Sequence, residues 1–465
     1  MTLWKTGVNK PIKAMKTLRA LLLTLAVGLA TVSSAQSLSS AYFLDGSLYR
    51  WQLNPAIQNE KNYFSFPALG NLMAGVNGNV GLNDFLYPYN KNGYSLTTFM
   101  SGTVDANEFL GRIPDVAKLR EGLDLTFFSV GFRGLGGYNT IHFSMHERMG
   151  LNVPKSFFQF AKQGLQHDSY SFADLGVGAE AYADFSLGHS HSIGDNLKVG
   201  ATLKLLMGLG FADVNVDKLN VELNESQWQA ESSAHGTVGL PMGAVIKFDD
   251  KGMPSKYRFN PLPASFGAGI DLGVAYDLSD VVEGLGVSAA MTGLGFVGWK
   301  STYSATVKSS QFAYSGMGEI DPSQDLDDQF DTLMDDVTGL FNIGFAEGDA
   351  KKVFFAPTLR LGAEYEMPFY DKLSAGLLLT HHTGGFFSST EGRVYANVSP
   401  TSWFGASING GVSTYGASFG WMIDFHPNGI AFFLGSDCTV LNVTPQFIPV
   451  GKLNANVSMG INFPL

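Results

Sequence analysis

The sequence predicts an all-β protein, an antiparallel transmembrane β-barrel, and three observations carry that prediction. The first is a two-residue alternation that recurs along most of the chain. It is clearest from Lys452 to Phe463, where Leu453, Ala455, Val457, Met459, Ile461 and Phe463 share one face and Asn454, Asn456, Ser458, Gly460 and Asn462 the other. Successive strand side chains point to opposite sides, so this segment has one apolar and one polar face. It also has the roughly 9–11 residues that a tilted strand needs to cross a bilayer. The second observation is that after residue 35 no apolar run reaches the roughly 18 residues of a membrane helix. The third is composition: 55 glycines in 465 residues and 13% aromatics, against a usual glycine content of about 7%.

The chain opens with an export signal. Met15-Lys16-Thr17-Leu18-Arg19 is a basic stretch, residues 20–30 are an apolar core, and Ser33-Ser34-Ala35 supplies small residues for cleavage. That pattern is a secretory signal peptide over 1–35, too short to span a membrane. The residues before Met15 add nothing to it, so Met15 serves as well as Met1 as a start. Removing Lys5, Lys10, Lys13, Lys16 and Arg19, with no acid among them, takes the net charge from −11 to −16. Such acidity argues against nucleic acid as a partner. Cys438 is the one cysteine, so no internal disulfide forms and a thiolate zinc cluster is excluded.

Residues 36–70 do not alternate. They contain Gln52-Leu53-Asn54-Pro55-Ala56 and Pro67-Ala68-Leu69-Gly70-Asn71, and Gly81-Leu82-Asn83-Asp84-Phe85-Leu86-Tyr87-Pro88 follows. Proline and asparagine at this density favour turns over strand pairing. On these motifs the chain resembles a family of uncharacterised outer-membrane barrels related to the FadL-like transporters, over most of its length. The resemblance implies that residues 36–70 form an N-terminal hatch folded into the lumen, shaped by Asn54, Pro55 and Ala56, with the barrel spanning 71–465.

From residue 71 onward the alternation repeats. Val177 to Leu187 sets apolar residues against Glu180, Tyr182, Asp184 and Ser186; Val199 to Leu205 opposes Lys198 and Lys204; Ala268 to Tyr276 opposes Asp271. Leu359 to Met367 opposes Arg360, Glu364 and Glu366, and Tyr415 to Phe425 opposes Asp424. In a soluble sandwich the apolar stripe would be sealed inside; in a barrel it faces lipid and the charges share the lumen. Aromatics near strand ends and glycine on the polar faces favour the barrel. The expectation is therefore that Leu205, Leu272, Leu361 and Phe419 point outward, while Glu180, Asp184, Lys198, Lys204, Asp271, Arg360, Glu364, Glu366 and Asp424 point inward.

Bacterial single-chain barrels have even strand numbers, short inner turns and longer outer loops. Short turns fall at 427–429, 400–402, 369–371, 279–283 and 188–196, and longer excursions at 438–451, 383–390, 297–352, 239–265, 148–172 and 82–122. Seventeen alternating segments can be drawn, an odd number. Assigning 299–314 to a loop gives sixteen; assigning the weak pair near 213–238 likewise gives fourteen, the number the resemblance implies and the one expected here. Two loop segments read as helical: 321–341, with Leu326, Phe330, Leu333, Met334, Val337 and Phe341 at helical spacing, and 105–121, interrupted by Pro114.

Catalytic motifs match only by letter. Gly293-Leu294-Gly295-Phe296-Val297-Gly298 has the dinucleotide spacing without a following helix, and Gly416-Ala417-Ser418-Phe419-Gly420 lies within a strand where a nucleophile elbow needs a turn. His142 and His146 share a face without zinc-site spacing, and Asp321, Asp325, Asp327 and Asp328 lack the EF-hand glycine and glutamate. The expectation is no enzyme, no metal and no cofactor: a monomer in outer-membrane lipid. The resemblance implies passive uptake of a small hydrophobic or amphipathic molecule; the alternative is a non-conducting secretion-accessory or assembly barrel that binds a protein partner.

Overall fold

The first and last strands of the sheet pair with each other. The computed structural model describes residues 38–65, 70–88, 96–164, 169–223, 228–240, 245–248, 254–258, 265–307, 343–445 and 449–465. Among these, β1 (Asn71–Gly78), β2 (Val116–Gly134), β3 (Gly137–Pro154), β4 (Gly176–Ile193) and β5 (Leu197–Leu223) pair in sequence. The ladder continues through β6 (Phe266–Asp277), β7 (Leu285–Trp299), β8 (Thr358–Met367), β9 (Tyr370–His382) and β10 (Ser389–Thr401). Then come β11 (Phe404–Ser413), β12 (Gly416–Phe425), β13 (Ala431–Ser436) and β14 (Asn454–Pro464), and β14 returns to β1. Every pairing is antiparallel, and fourteen strands close the ring. Closure leaves no open edge, so the backbone groups of the wall are satisfied without water, the condition for crossing hydrocarbon.

The two faces of the wall separate as a barrel in lipid requires. Leu205, Leu272, Leu361 and Phe419 are 51%, 42%, 58% and 39% exposed; among the described residues no second sheet covers them, and the sandwich alternative is excluded. The buried apolar core lies inside the ring. Leu44, Leu53, Tyr42, Phe43, Tyr49 and Trp51 of the N-terminal segment pack on Leu378, Tyr395, Met422 and Phe433 of the wall. Tyr63–Ser65, at the end of the expected hatch, already joins the wall, pairing with β14 and β2 as an inner continuation of β1.

Among the register shifts in the ladders, three one-residue bulges bear on which residues face the lumen. The register shifts between Thr126 and Phe128 in β2, between Gly208 and Gly210 in β5, and around Gly293 in β7. An extra residue in a two-residue repeat reverses which parity faces inward. In β2 the buried positions run through Thr126 and then Ser129; in β7 they run through Ala290 and Thr292, followed by Val297 and Trp299. Gly293, with φ +81°, sits at the β7 bulge, so the dinucleotide-like glycine run is a strand irregularity.

Inner turns are short, for example 135–136, 194–196, 368–369 and 402–403. The turn expected at 188–196 is shorter because β4 runs on through the polar stretch Gly188–Ile193. Ser190 there donates to the Ala56 carbonyl at 2.9 Å, so its polarity serves an inward contact. Outside the belt, the 105–121 helix is realised only over Ala106–Arg112, where the Asp105 carboxylate accepts the Glu108 N–H at 2.8 Å; past Pro114 the chain becomes β2. Its Phe109 and Leu110 pack with Phe99, Ile113 and the Lys155–Gln163 helix into a small outer core. The segments 1–35 and 321–341, with the aspartates at 321–328, lie outside the described residues.

Candidate functional site in the barrel lumen

The N-terminal segment is seated by two polar anchors at its ends. At Asn54-Pro55-Ala56 the chain presses against the wall where β5 and β6 carry Gly200 and Gly273. A Cβ at Gly200 would lie 2.1 Å from the Pro55 carbonyl oxygen, and one at Gly273 would lie 2.0 Å from the Asn54 side-chain oxygen. Only glycine leaves that recess. Fully buried Asn54 accepts the Ala56 N–H at 3.0 Å on Oδ1, and its Nδ2 reaches the Tyr42 hydroxyl at 3.2 Å and the Val274 carbonyl at 3.3 Å. The amide therefore ties three segments together, and Pro55, with no N–H, leaves no orphaned donor against the wall.

The second anchor is Asp437, just beyond β13. Its buried carboxylate accepts the Ser39 N–H at 2.6 Å, the Ser40 N–H at 2.8 Å and the Ser40 hydroxyl at 2.5 Å. Behind it lies Arg393, 1% exposed, which donates to the Asp437 backbone carbonyl at 2.9 Å, to Asn409 Oδ1 at 2.5 Å, to Ser418 Oγ at 2.7 Å and to Glu391. Asn409 donates in turn to the Ser40 hydroxyl at 2.8 Å. A charge buried this fully needs hydrogen-bond acceptors and a close counter-charge; both Nη groups of Arg393 have acceptors and Glu391 supplies the charge, while Nε has no partner among the described residues. Between the anchors, Trp51 packs against His142 with the rings tilted at 46° and centroids 4.6 Å apart, and donates to the Tyr63 hydroxyl at 2.9 Å. Tyr49 donates to Asn462 at 2.8 Å, and burial pushes its phenol well above the ordinary tyrosine value, keeping it a donor.

The charged residues expected in the lumen fall into separate groups. Asp184, Lys204, Asp271 and Arg360 form a belt above the segment: Lys204 lies 2.7 Å from Asp271, and Arg360 donates to Thr292 at 2.8 Å. Asp184, fully buried, takes His146 Nε2 at 2.7 Å and lies 3.4 Å from His142. Glu180 faces Arg148 at 3.7 Å, nearer the outer end. Asp424 sits by His426 at 3.1 Å, near the inner turn. Lys198, Glu364 and Glu366 line a different space, an inner vestibule of about 510 Å³ bordered also by Asp45, Arg50, Asp277 and Arg133. Sequence reasoning missed the Arg393–Asp437 anchor and the partnership of His146 with Asp124. The alternation of Arg393 with Val394, Ala396 and Val398 was the available signal for the first.

Above the belt Tyr182, Leu206, Phe211, Val297, Trp299 and Phe355 pack together on one side of the lumen, beside the charged pair Glu180 and Arg148. The lumen thus has a charged vestibule at the short-turn end, a filled waist and an apolar patch on one side of its outer part. Among the described residues no group of three or more His, Cys, Asp or Glu side chains is placed to hold a metal ion.

A family model described as a family of unknown function (DUF5723) matches residues 55–437. No curated protein matches the chain. Among solved structures, the toluene transporter TbuX of Ralstonia pickettii aligns at 10% identity with TM-score 0.42, over 92% of this chain and 97% of that one. The toluene transporter TodX of Pseudomonas putida aligns at 9% identity with TM-score 0.43, over 93% and 98%. A FadL homologue of Pseudomonas aeruginosa aligns at 11% identity with TM-score 0.38, over 93% and 98%.

Proposed function

The chain belongs to the family of unknown function DUF5723, and from that premise we propose that it is a passive outer-membrane channel for a small hydrophobic or amphipathic molecule, opened by displacement of its own N-terminal segment. The observation that carries this reading is the way the segment is held. It fills the waist through hydrogen bonds and packing alone, with discrete anchors at Asp437 and Asn54 and a cavity already present beneath it. The apolar patch on one side of the outer lumen gives such a solute a first contact after it leaves lipid or water. The filled waist also suits a non-conducting barrel that binds a protein partner at its outer loops, and solute flux separates the two.

The test is uptake of radiolabelled alkanes, fatty acids and aromatics into liposomes holding the full-length protein. Ser40→Cys with Asp437→Cys, in a Cys438→Ser background, allows the segment to be locked by oxidation and freed by reduction. Uptake that stops on oxidation and returns on reduction is expected. Absence of uptake of every solute in both states rejects the channel.

A further inference from the structure

The loop between β9 and β10 does not stay at the rim. Residues 383–388 cross the outer mouth to β3 and β4, nearly half the ring away. There the Phe386 ring lies in a groove whose wall is glycine. A Cβ at Gly150, Gly176 or Gly178 would lie 3.2, 2.8 or 2.6 Å from Phe386 atoms. Glycine inside a strand weakens it and marks close approach of another group; here three on two adjacent strands make one slot of ring thickness.

Arg120 of β2 completes the slot. Its Nη1 donates to the carbonyls of Leu119 at 2.7 Å and Leu151 at 2.9 Å, and its Nη2 to Asn152 at 2.7 Å. The wall therefore fixes the guanidinium whatever the loop does. What faces the loop is Nε, which donates to the Phe386 carbonyl, and the cationic face, with Cζ 5.7 Å from the ring centroid. The crossing loop is fastened on its own side by Thr383, whose N–H and hydroxyl both reach the Pro357 carbonyl, at 3.1 and 2.7 Å. Between that fastening and Phe386 stand Gly384 and Gly385, with φ +90° and +38°, a conformation open to glycine at little cost.

We propose that this groove is a binding site for a 3-arylpropanoate, an aromatic ring with its carboxylate two carbons away as the backbone carbonyl is in phenylalanine, and that Phe386 occupies it as an intramolecular stand-in. The ring of the solute takes the glycine slot under the guanidinium, and its carboxylate replaces the Phe386 carbonyl at Arg120 Nε, where an ionised acceptor makes the stronger bond. Solute and loop exclude each other, so binding swings the loop out about Gly384–Gly385 and clears the outer mouth. This rests on the channel reading and gives it a substrate class.

The probe is 3-phenylpropanoate, titrated by equilibrium dialysis against the full-length protein in nanodiscs, with 3-cyclohexylpropanoate as the anion lacking a π face. Folding of each variant is checked by heat-modifiable gel mobility. An apparent affinity falls with the fraction of protein that is competent, so a groove vacant about one-tenth of the time costs about tenfold. Phe386→Ala is expected to bind 3-phenylpropanoate about tenfold more tightly than the unaltered protein and in preference to 3-cyclohexylpropanoate. Adding Gly178→Leu, or Gly178→Ala where the larger residue blocks folding, is expected to abolish the gain. Equal affinity with and without Phe386, or a gain that survives filling the slot, overturns the assignment. Liposome flux without any gain in affinity rejects the groove alone; a gain in affinity with no flux of any solute rejects the channel and leaves the groove standing.

Discussion

Replacing Asp437 by alanine tests how the N-terminal segment is retained. The carboxylate accepts three hydrogen bonds from Ser39 and Ser40, and bonds to an ionised acceptor contribute about 1.5–3 kcal/mol each. Two of the donors are backbone N–H groups with no replacement in the buried site. Allowing for water that enters the vacated space, the loss is about 4–6 kcal/mol, a thousandfold or more in the ratio of docked to undocked segment. Arg393 keeps Glu391, Asn409 and the Asp437 backbone carbonyl, so the wall is expected to hold. Hydrogen exchange followed by mass spectrometry on the full-length protein reads the effect directly. Residues 38–44 should lose protection by orders of magnitude while β9 to β12 keep theirs, and Asp437→Asn, which keeps one acceptor, should fall between. Unchanged protection of 38–44 in Asp437→Ala would refute the anchor.

Two further outcomes are expected. Gly200→Val places a side chain where the Pro55 carbonyl now sits, so residues 50–58 should exchange faster and solute flux should rise, with heat-modifiable mobility unchanged; slow exchange in that variant would contradict the recess. Lys204→Met leaves the Asp271 carboxylate buried without its cation, a loss of about 3–5 kcal/mol, measured as a lower urea midpoint. Adding Asp271→Leu should recover most of it.

The outward half of the barrel was legible because lipid imposes a simple rule: Leu203, Leu205, Leu359 and Leu361 must be apolar at every second position, whatever residues lie far along the chain. The inward half obeys no such rule. Its residues answer to partners far along the chain, as Asp437 answers to Ser40 and Phe386 to Gly178, and periodicity carries no information about them. The bulges hid more. In β2 the inward positions run Gly122, Asp124, Thr126 and then Ser129, Gly131, so a strict two-residue count cancels across Phe127 and the strand loses its signature. The same reversal in β7 produced the glycine spacing that imitates a nucleotide loop. Helix 105–121 was overread because its apolar spacing runs on into β2, and Pro114 alone marks the stop.

Tyr63–Ser65 is paired on both sides, to Pro464, Phe463 and Asn462 of the last strand and to Gly131 and Val130 of β2. In the proposed channel the N-terminal segment is therefore leashed at the inner rim by a covalent joint that undocking would leave intact. A freed segment stays within reach of its seat at a local concentration on the order of millimolar, as for any short tether. Reclosure then needs no second component, and the interval between opening and resealing is set by the chain itself.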